Sequence, residues 1–230
     1  GHVEVFIQPL AAGHLRLLEM LESERPATLL TDLDSGEVEV AAGARGSEPS
    51  REGSVFVEPF PRTPRMIIVG AIHIAIPLHR LARLMGYRVT VVDARPKFAT
   101  AERFPEADEV LVKWPDEALE GMEMDASSFV VILTHDPKFD LPALRSVLGR
   151  ELGYLGAIGS RKTNANRLQK LRQEGFAEEA LARVHGPIGL DLGGRGAEET
   201  ALAIMAEVTA ARHGASGGSL RASPGAVPAS

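Results

Sequence analysis

From Met66 onward, short apolar runs alternate with segments of helical periodicity, and this alternation limits the fold more than any other feature of the chain. Continuous apolar runs are typical of strands buried on both faces, and parallel strands need helical connections between them. The pattern predicts an α/β domain over residues 65–214 with a doubly wound, mostly parallel, Rossmann-like sheet. Its predicted strands are MIIVGA, RVTVVDA, EVLVKW, FVVILT and YLGAIG.

The residues on either side of this domain follow other patterns. Residues 1–64 predict a small, partial N-terminal α+β segment, which the prolines of PFPRTPR separate from the sheet. Its first strand begins at residue 1, so we expect part of a larger protein to precede it. After a last helix at about Ala197 to Arg212, residues 215–230 have the composition of a flexible C-terminal tail. The segment's predicted elements are the strands HVEVFIQPL, ATLLTDLDSGEVEV (with a turn at its Asp-Ser-Gly) and SVFVEPF, the helix GHLRLLEMLESE and the polar loop AAGARGSEPSREG.

The composition excludes several classes of function. The chain has 230 residues, with 25 lysines and arginines against 31 aspartates and glutamates and no basic run, so we expect no nucleic-acid partner. No apolar stretch approaches the roughly 20 residues that span a membrane, and none resembles a secretion signal, so we expect a cytoplasmic protein without a membrane partner. The absence of cysteine excludes disulfides, thiolate metal sites and cysteine nucleophiles.

Candidate site residues follow the predicted strands, because an open parallel sheet binds its ligands outside the carboxyl ends of its strands. The first cluster is the loop Gly70, Ala71, Ile72 and His73, which leads into a helix whose N-terminus attracts phosphate. Ile72 stands where a dinucleotide-binding loop needs its second glycine, so we expect NAD(P) to bind only weakly. The alternative is a turn with a purely structural role.

Asp93 ends the second predicted strand about 20 residues after this loop, where a carboxylate can accept hydrogen bonds from ribose hydroxyls. Arg95 beside it can bind a phosphate or pair with Asp93. The sequence leaves open a further interpretation, in which the two residues form an ordinary solvated turn.

Thr134, His135 and Asp136 follow the most apolar predicted strand, and Asp140 is a candidate cap for the helix after them. A hydroxyl, an imidazole and a carboxylate at one strand end can orient a ligand, transfer a proton or bind a metal, but adjacent side chains do not all face one way. For His135 three interpretations stay open: ligand contact, structural hydrogen bonding and metal binding. No second histidine stands at a spacing typical of a metal site, and we assign no metal ligand.

Gly159, Ser160, Arg161 and Lys162 stand where the last predicted strand ends and a helix begins. Ser160 is a good helix cap, and the two basic residues add cationic donors near the positive end of the helix dipole. This cluster favours anion binding. The alternative is a capped helix whose basic side chains are only solvated.

The glycine-rich loop PIGLDLGGRG leads into the last predicted helix, whose first turn carries Glu198 and Glu199. Acidic side chains at that position complement the helix dipole, which is a complete structural explanation. Glu198 is also a candidate cofactor-binding residue, although the sequence gives no further support for this role.

Five segments together resemble the xanthine dehydrogenase accessory family, whose relatives also serve carbon monoxide dehydrogenase maturation. The resemblance runs in order from about Arg65 to Gly214, and VEVFIQPL upstream looks like the strand that follows a Cys-Gly-Gly segment in that family. The chain departs from it at Ile72, in place of glycine in the family's Gly-Ala-Gly-His, and in GGRGAEE, in place of Gly-Ala-x-Thr-Pro-Glu-Glu. The segments are VGAIHIA, VTVVDARPKFATAERFPEAD, THDPKFD, YLGAIGSRKT and PIGLDLGGRGAEETALAIMAEV.

The resemblance implies a non-catalytic chaperone that binds the molybdenum cofactor, as molybdopterin or its dinucleotide form. Such proteins assist the sulfuration of the cofactor and deliver it to a molybdenum hydroxylase such as xanthine dehydrogenase. The resemblance also implies a homodimer and a cysteine desulfurase as a further partner. The alternatives are an NAD(P)-dependent oxidoreductase of the xanthine dehydrogenase type, with His73 or His135 as acid–base group, and a nucleotide-sensing or structural domain that recruits a dehydrogenase subunit.

Overall fold

The protein is described by a computed structural model that covers residues 5–46 and 48–222. The chain divides into two compact units, Gly1–Thr63 and Pro64–Ser230. The second unit carries all the candidate site residues.

The first unit is a helix with a four-stranded antiparallel sheet. The helix α1 spans Ala12–Glu22, and the strands lie in the order β2-β1-β4-β3. Leu17 and Met20 of the helix pack on Leu29 and Val40 of the sheet. The strands are β1 (Ala27–Asp32), β2 (Val38–Ala42), β3 (Ser50–Glu52) and β4 (Val55–Phe60).

Two predictions for this unit are wrong. The segment HVEVFIQPL forms no strand in its described part, residues 5–10, where Val5, Ile7 and Leu10 are exposed and no described strand pairs with them. Its first residues lie outside the described part of the chain. The strand β3 lies inside the predicted loop, because Ser50 to Glu52 pair with Val57 to Val55 of β4. A short edge strand like this has no alternation that sequence analysis can recognise.

The second unit confirms the predicted fold class. Its sheet has six parallel strands in the order β10-β9-β8-β5-β6-β7. The chain moves outward from β5 to β7 and then returns to β8 on the other side of β5, so the order reverses between β5 and β8. The strands are β5 (Arg65–Val69), β6 (Arg88–Val92), β7 (Glu109–Leu111), β8 (Ser128–Ile132), β9 (Tyr154–Ala157) and β10 (Val184–His185).

Helices cover both faces of this sheet. Met66 and Ile68 of β5 pack with α2 and α7 on one face, and Ile67 and Val69 pack with α3 to α6 on the other. The side chains of β5 after Arg65 are all buried, which explains the continuous apolar run. The helices are α2 (Ala75–Leu84), α3 (Pro115–Glu120), α4 (Pro137–Val147), α5 (Arg161–Gln173), α6 (Glu178–Ala182) and α7 (Ala197–Arg212).

The predicted C-terminal tail is described only in part. A short 3₁₀ turn lies at Leu220–Ala222, and residues 223–230 lie outside the described residues. The flexibility of the tail stays a prediction. Among the described residues, the helices are too short or too polar for any of them to cross a bilayer.

Candidate functional site

The loops after β5 and β8 touch at the point where the strand order reverses. Gly70 has a φ of +107°, a backbone conformation that L side chains rarely adopt. A Cβ on Gly70 would lie 2.7 Å from Cγ2 and 3.1 Å from the backbone nitrogen of Thr134. Glycine is therefore required at this position by both conformation and space.

The Asp93 carboxylate forms hydrogen bonds within the protein. Its Oδ2 accepts the Ala71 N–H at 2.8 Å, and both carboxylate oxygens accept hydrogen bonds from the Arg95 guanidinium at 2.7 and 2.9 Å. The Asp93 side chain is 2% exposed, whereas that of Arg95 is 40% exposed. Of the interpretations left open by the sequence, these contacts agree with the pairing of Arg95 and Asp93. Ribose binding by Asp93 stays a prediction.

The same contacts set the ionisation of Asp93. Burial opposes the charged form, but the hydrogen bonds from Arg95 and from the Ala71 N–H outweigh it and hold the pKa of Asp93 below its ordinary value. A carboxyl group with a lowered pKa stabilises the fold above the unfolded-state pKa of about 4, and that contribution is lost as the pH falls through the folded-state value.

We expect Asp93→Asn to lower the free energy of unfolding by about 1–3 kcal/mol at neutral pH, because charge-assisted hydrogen bonds are lost. The difference from the wild type should shrink below about pH 4, where Asp93 first takes up a proton in the unfolded chain and then, at lower pH, in the folded one. Urea unfolding at about pH 7 and about pH 3 measures it. Asp136→Asn is the matched control, because asparagine caps a helix as well as aspartate does. A penalty that does not change with pH would contradict the assignment.

Thr134, His135 and Asp136 point to different environments. Thr134 is buried and its hydroxyl donates to Asp140, whereas His135 and Asp136 are exposed. The Asp136 carboxylate accepts the Lys138 N–H at 3.0 Å and caps α4. The prediction that Asp140 caps this helix is wrong, because Asp140 lies one turn inside the helix and faces the core.

A buried ion pair that sequence analysis missed joins the ends of β8 and β9. Arg167 of α5 donates to the carboxylate of Asp140, to the main-chain oxygens of Thr134 and Ile158, and to Asn164 Oδ1 at 2.9 Å. The Asp140 side chain is fully buried and that of Arg167 is 6% exposed. The one available signal was spacing, since Asn164 and Arg167 stand in helical register with the buried Leu171.

The predicted cap and basic residues stand at the N-terminus of α5. Ser160 Oγ accepts the Thr163 N–H at 3.0 Å, and Arg161 and Lys162 are exposed. Gly159 before them has a φ of +131°, and a Cβ there would lie 3.1 Å from Nη1 of Arg167. The buried ion pair therefore lies directly below the N-terminus of α5, where the helix dipole and the two cationic side chains attract anions.

A groove of about 390 Å³ lies between α4 and α5. Its lining runs from His135 and Thr163 to Lys170 and Gln173, with Arg167 at its base. Of the residues predicted from the sequence to bind a cofactor, it includes His135 and none from the loop after β5.

The loop after β5 carries a branched side chain, that of Ile72. Ile72 is half-buried and packs against the core under α2, and Ile74 at the helix cap makes no side-chain capping bond. The Arg103 guanidinium donates a hydrogen bond of 2.8 Å to the main-chain oxygen of Ala71 and so stabilises the loop. His73 is exposed.

We expect NAD to bind with a dissociation constant well above about 1 μM, because Ile72 occupies the turn that the pyrophosphate would approach. Ile72→Gly should tighten binding about five- to 150-fold, the equivalent of 1–3 kcal/mol. Titration calorimetry measures both constants. Leu81→Ala is the control, since Leu81 packs against the same core more than one turn further along α2. Tight binding by the wild type would contradict this expectation.

Glu198 is exposed at the first turn of α7, while its neighbour Glu199 has a defined structural role. Glu199 Oε2 accepts the N–H groups of Arg195 at 2.9 Å and Gly196 at 3.0 Å, and these bonds lower the pKa of Glu199. Cofactor binding by Glu198 stays a prediction.

The predicted clusters are joined in pairs along the carboxyl edge of the sheet. Asp93 joins the second cluster to Ala71, Gly70 joins the first to Thr134, and Arg167 joins the third to Ile158, which precedes Gly159. Within residues 5–46 and 48–222, no group of three or more histidine, aspartate or glutamate side chains is placed to hold a metal ion. The edge instead offers N–H groups and cationic side chains, which are donors for anions.

Comparisons with known proteins agree with this fold. Residues 66–208, more than half of the chain, match the family model described as the XdhC Rossmann domain. The crystal structure of a xanthine dehydrogenase from Bacillus halodurans aligns with a TM-score of 0.72 at 24% identity, over 92% of this chain and 66% of that one. This likeness shows the shared fold.

Relatives at 30% identity include proteins of Escherichia coli K12 and Bacillus subtilis 168. They are the uncharacterized protein YqeB of E. coli (77% of this chain, 32% of its own length), a probable xanthine dehydrogenase subunit of B. subtilis (69% and 46%) and the molybdenum cofactor insertion chaperone PaoD of E. coli (64% and 40%). The matched part thus spans less than half of each relative, 32% to 46% of its length. These matches confirm the resemblance drawn from the sequence, and the chain belongs to the XdhC family.

Proposed function

We propose that this protein binds the molybdenum cofactor at the carboxyl edge of its parallel sheet and assists its maturation and insertion into a molybdenum hydroxylase such as xanthine dehydrogenase. Membership of the XdhC family and the name of PaoD support this role. The observation that carries it is the N-terminus of α5, where Arg161 and Lys162 are exposed above a rigid buried ion pair.

The residues at this edge suit the anionic part of such a cofactor. Arg161 and Lys162 are cationic donors, and the first turn of α5 adds N–H groups and the positive end of a helix dipole. When bound, the molybdenum supplies the redox chemistry of the target enzyme, while these residues bind and orient the phosphate-bearing part. The proposal covers molybdopterin and its dinucleotide form.

Two further parts of the proposal, a homodimer and a cysteine desulfurase as a partner, rest on the resemblance alone. A cytoplasmic location is a third part, and it stays the expectation drawn from the sequence. Size measurement by light scattering and co-purification with the desulfurase test the first two.

The alternative function is an NAD(P)-dependent oxidoreductase of the xanthine dehydrogenase type. The strand order favours it, because this order is typical of dinucleotide-binding domains. Two features oppose it: Ile72 stands where the turn after β5 would need its second glycine, and Asp93 directs its carboxylate to Arg95 and Ala71. We therefore prefer the chaperone function.

The proposal is tested by purifying the chain from cells that make the cofactor and measuring the fluorescence of the oxidised pterin that stays bound. We expect the wild type to retain pterin and Arg161→Ala to retain several-fold less. Arg172→Ala is the matched control, an exposed arginine near the other end of α5. Absence of pterin from the wild type would contradict cofactor binding.

A second assay separates the two functions. With xanthine and NAD, the chain alone should form no urate, because a chain without cysteine cannot hold the iron–sulfur clusters that carry electrons in such enzymes. Added to a cofactor-free xanthine dehydrogenase together with the cofactor, it should increase the active fraction. Sustained turnover by the pure chain would favour the oxidoreductase.

A further inference from the structure

Three strand ends of the sheet each carry a lysine followed by an aromatic residue. The pairs are Lys97-Phe98 after β6, Lys113-Trp114 after β7 and Lys138-Phe139 at the start of α4. All three follow the carboxyl ends of parallel strands, so they lie at the ligand-binding edge.

The aromatic side chains form one surface with Arg95. The rings of Trp114 and Phe139 are stacked, with centroids 5.0 Å apart and planes inclined by 26°. The Arg95 guanidinium carbon lies 5.7 Å from the centroid of Phe139 and 4.2 Å from that of Phe98. We call Arg95, Phe98, Trp114 and Phe139 the ring platform.

Two aromatic side chains of the ring platform are exposed, and its arginine is held in one orientation. Trp114 is 46% exposed and Phe98 is 38% exposed, although side chains of this kind stabilise a protein most when they are buried. The Arg95 guanidinium donates two hydrogen bonds to the carboxylate of the buried Asp93. The plane of the guanidinium is therefore fixed before a ligand binds. Fixed aromatic and guanidinium planes at a surface are the usual means of stacking a planar ring.

The lysines indicate what such a ring carries. Lys97, Lys113 and Lys138 are all exposed, and each precedes a platform residue. The acidic side chains on the same segments lie at helix starts: Asp136 caps α4, and Asp116 and Glu117 lie in the first turn of α3. The lysines add positive charge beside the ring platform, and they suit a phosphate.

We propose that the ring platform stacks a planar heteroaromatic ring that carries a phosphate. Both a nucleotide and the phosphorylated pterin of molybdopterin have this chemistry. The inference rests on the proposed function only for the natural source of the ring, and it names the side chains that hold the organic part of the ligand.

The test uses the chain's one tryptophan, which belongs to the ring platform. AMP, GMP, CMP and 6-hydroxymethylpterin phosphate are titrated while the fluorescence of Trp114 is recorded, with adenosine as the probe without phosphate. We expect saturable quenching, with AMP binding more tightly than adenosine. Tighter binding of the pterin phosphate than of the nucleotides assigns the site to the pterin, and the reverse order assigns it to a nucleotide.

Variants measured by calorimetry identify the surface. Phe98→Leu and Trp114→Leu should each raise the dissociation constant of the tightest probe about tenfold, the effect of one lost stacking contact. Phe6→Leu is the matched control, since Phe6 is 44% exposed and lies in the first unit. This variant should bind the probe as the wild type does. Circular dichroism melting verifies that the variants fold.

Failure of this inference can be told apart from failure of the proposed function. Absence of saturable quenching by every probe, or equal affinities in all variants, overturns the ring platform as a ligand site. Where the titrations favour the pterin phosphate, retention of pterin by Phe98→Leu at the wild-type level overturns the ring platform too and leaves the chaperone function intact. Absence of pterin from the wild type contradicts the chaperone function, while the titrations still decide the ring platform.

Discussion

Replacing Arg167 with alanine is expected to lower the free energy of unfolding of the second unit by about 3–5 kcal/mol. The variant leaves the fully buried carboxylate of Asp140 without its cationic partner. It also removes the donor from the main-chain oxygens of Thr134 and Ile158. Urea unfolding followed by Trp114 fluorescence measures the change, because the chain's one tryptophan lies in this unit.

The loss of stability should depend on pH. Burial raises the pKa of Asp140, and the hydrogen bond from Thr134 and the charge of Arg167 oppose this. Without Arg167 the pKa rises further. A carboxyl group with a raised folded-state pKa stabilises the fold at low pH and loses that contribution as the pH rises through this value. The penalty should therefore be smaller at about pH 5 than at about pH 8.

Two further variants make this expectation specific. Arg172→Ala alters an exposed pair with Glu178 on the same side of the sheet, and it should change stability little, because exposed ion pairs contribute little. The double variant Arg167→Met, Asp140→Leu should recover much of the loss, since it leaves no unpaired buried charge. Equal destabilisation by Arg167→Ala and Arg172→Ala would show that the buried pair does not join the strand ends.

The ion pair also matters for the proposed site. Arg167 binds the main chain at the ends of both β8 and β9, and α5 begins directly after β9. It therefore fixes the helix N-terminus on which Arg161 and Lys162 stand. We expect Arg167→Ala to weaken ligand binding at this edge as well as stability.

The sheet could be predicted from the sequence because burial on both faces leaves a simple signal. Met66 and Ile68 face one helical layer and Ile67 and Val69 face the other, so no polar residue interrupts β5 after its first position. The loops that follow such strands could be located for the same reason. The segment HVEVFIQPL also contains β-forming residues, but a strand needs a partner, and residues 5–10, its described part, pair with no described strand.

The contacts within the site could not be predicted in this way. Sequence patterns treat arginine and aspartate as exposed residues, whereas Arg167 and Asp140 are buried against each other. The ring platform combines residues from three separate segments, Phe98, Trp114 and Phe139, and only the order of the strands brings them to one edge. Pairing over such sequence distances follows from the tertiary fold.

Gly70→Ala is expected to lower the free energy of unfolding by about 2–5 kcal/mol. Alanine at a φ of +107° is strained, and its Cβ would also lie 3.1 Å from the backbone nitrogen of Thr134, which cannot move without disturbing the end of β8. Gly86→Ala separates the two causes, because Gly86 has a φ of +80° and a Cβ added there would have no atom within 4 Å, so it should cost about 1–2 kcal/mol from strain alone. The difference in urea midpoints between the two variants measures the close approach of the loops after β5 and β8. Equal midpoints would mean that these loops are free to separate, and the edge at the reversal point would then be open to a ligand.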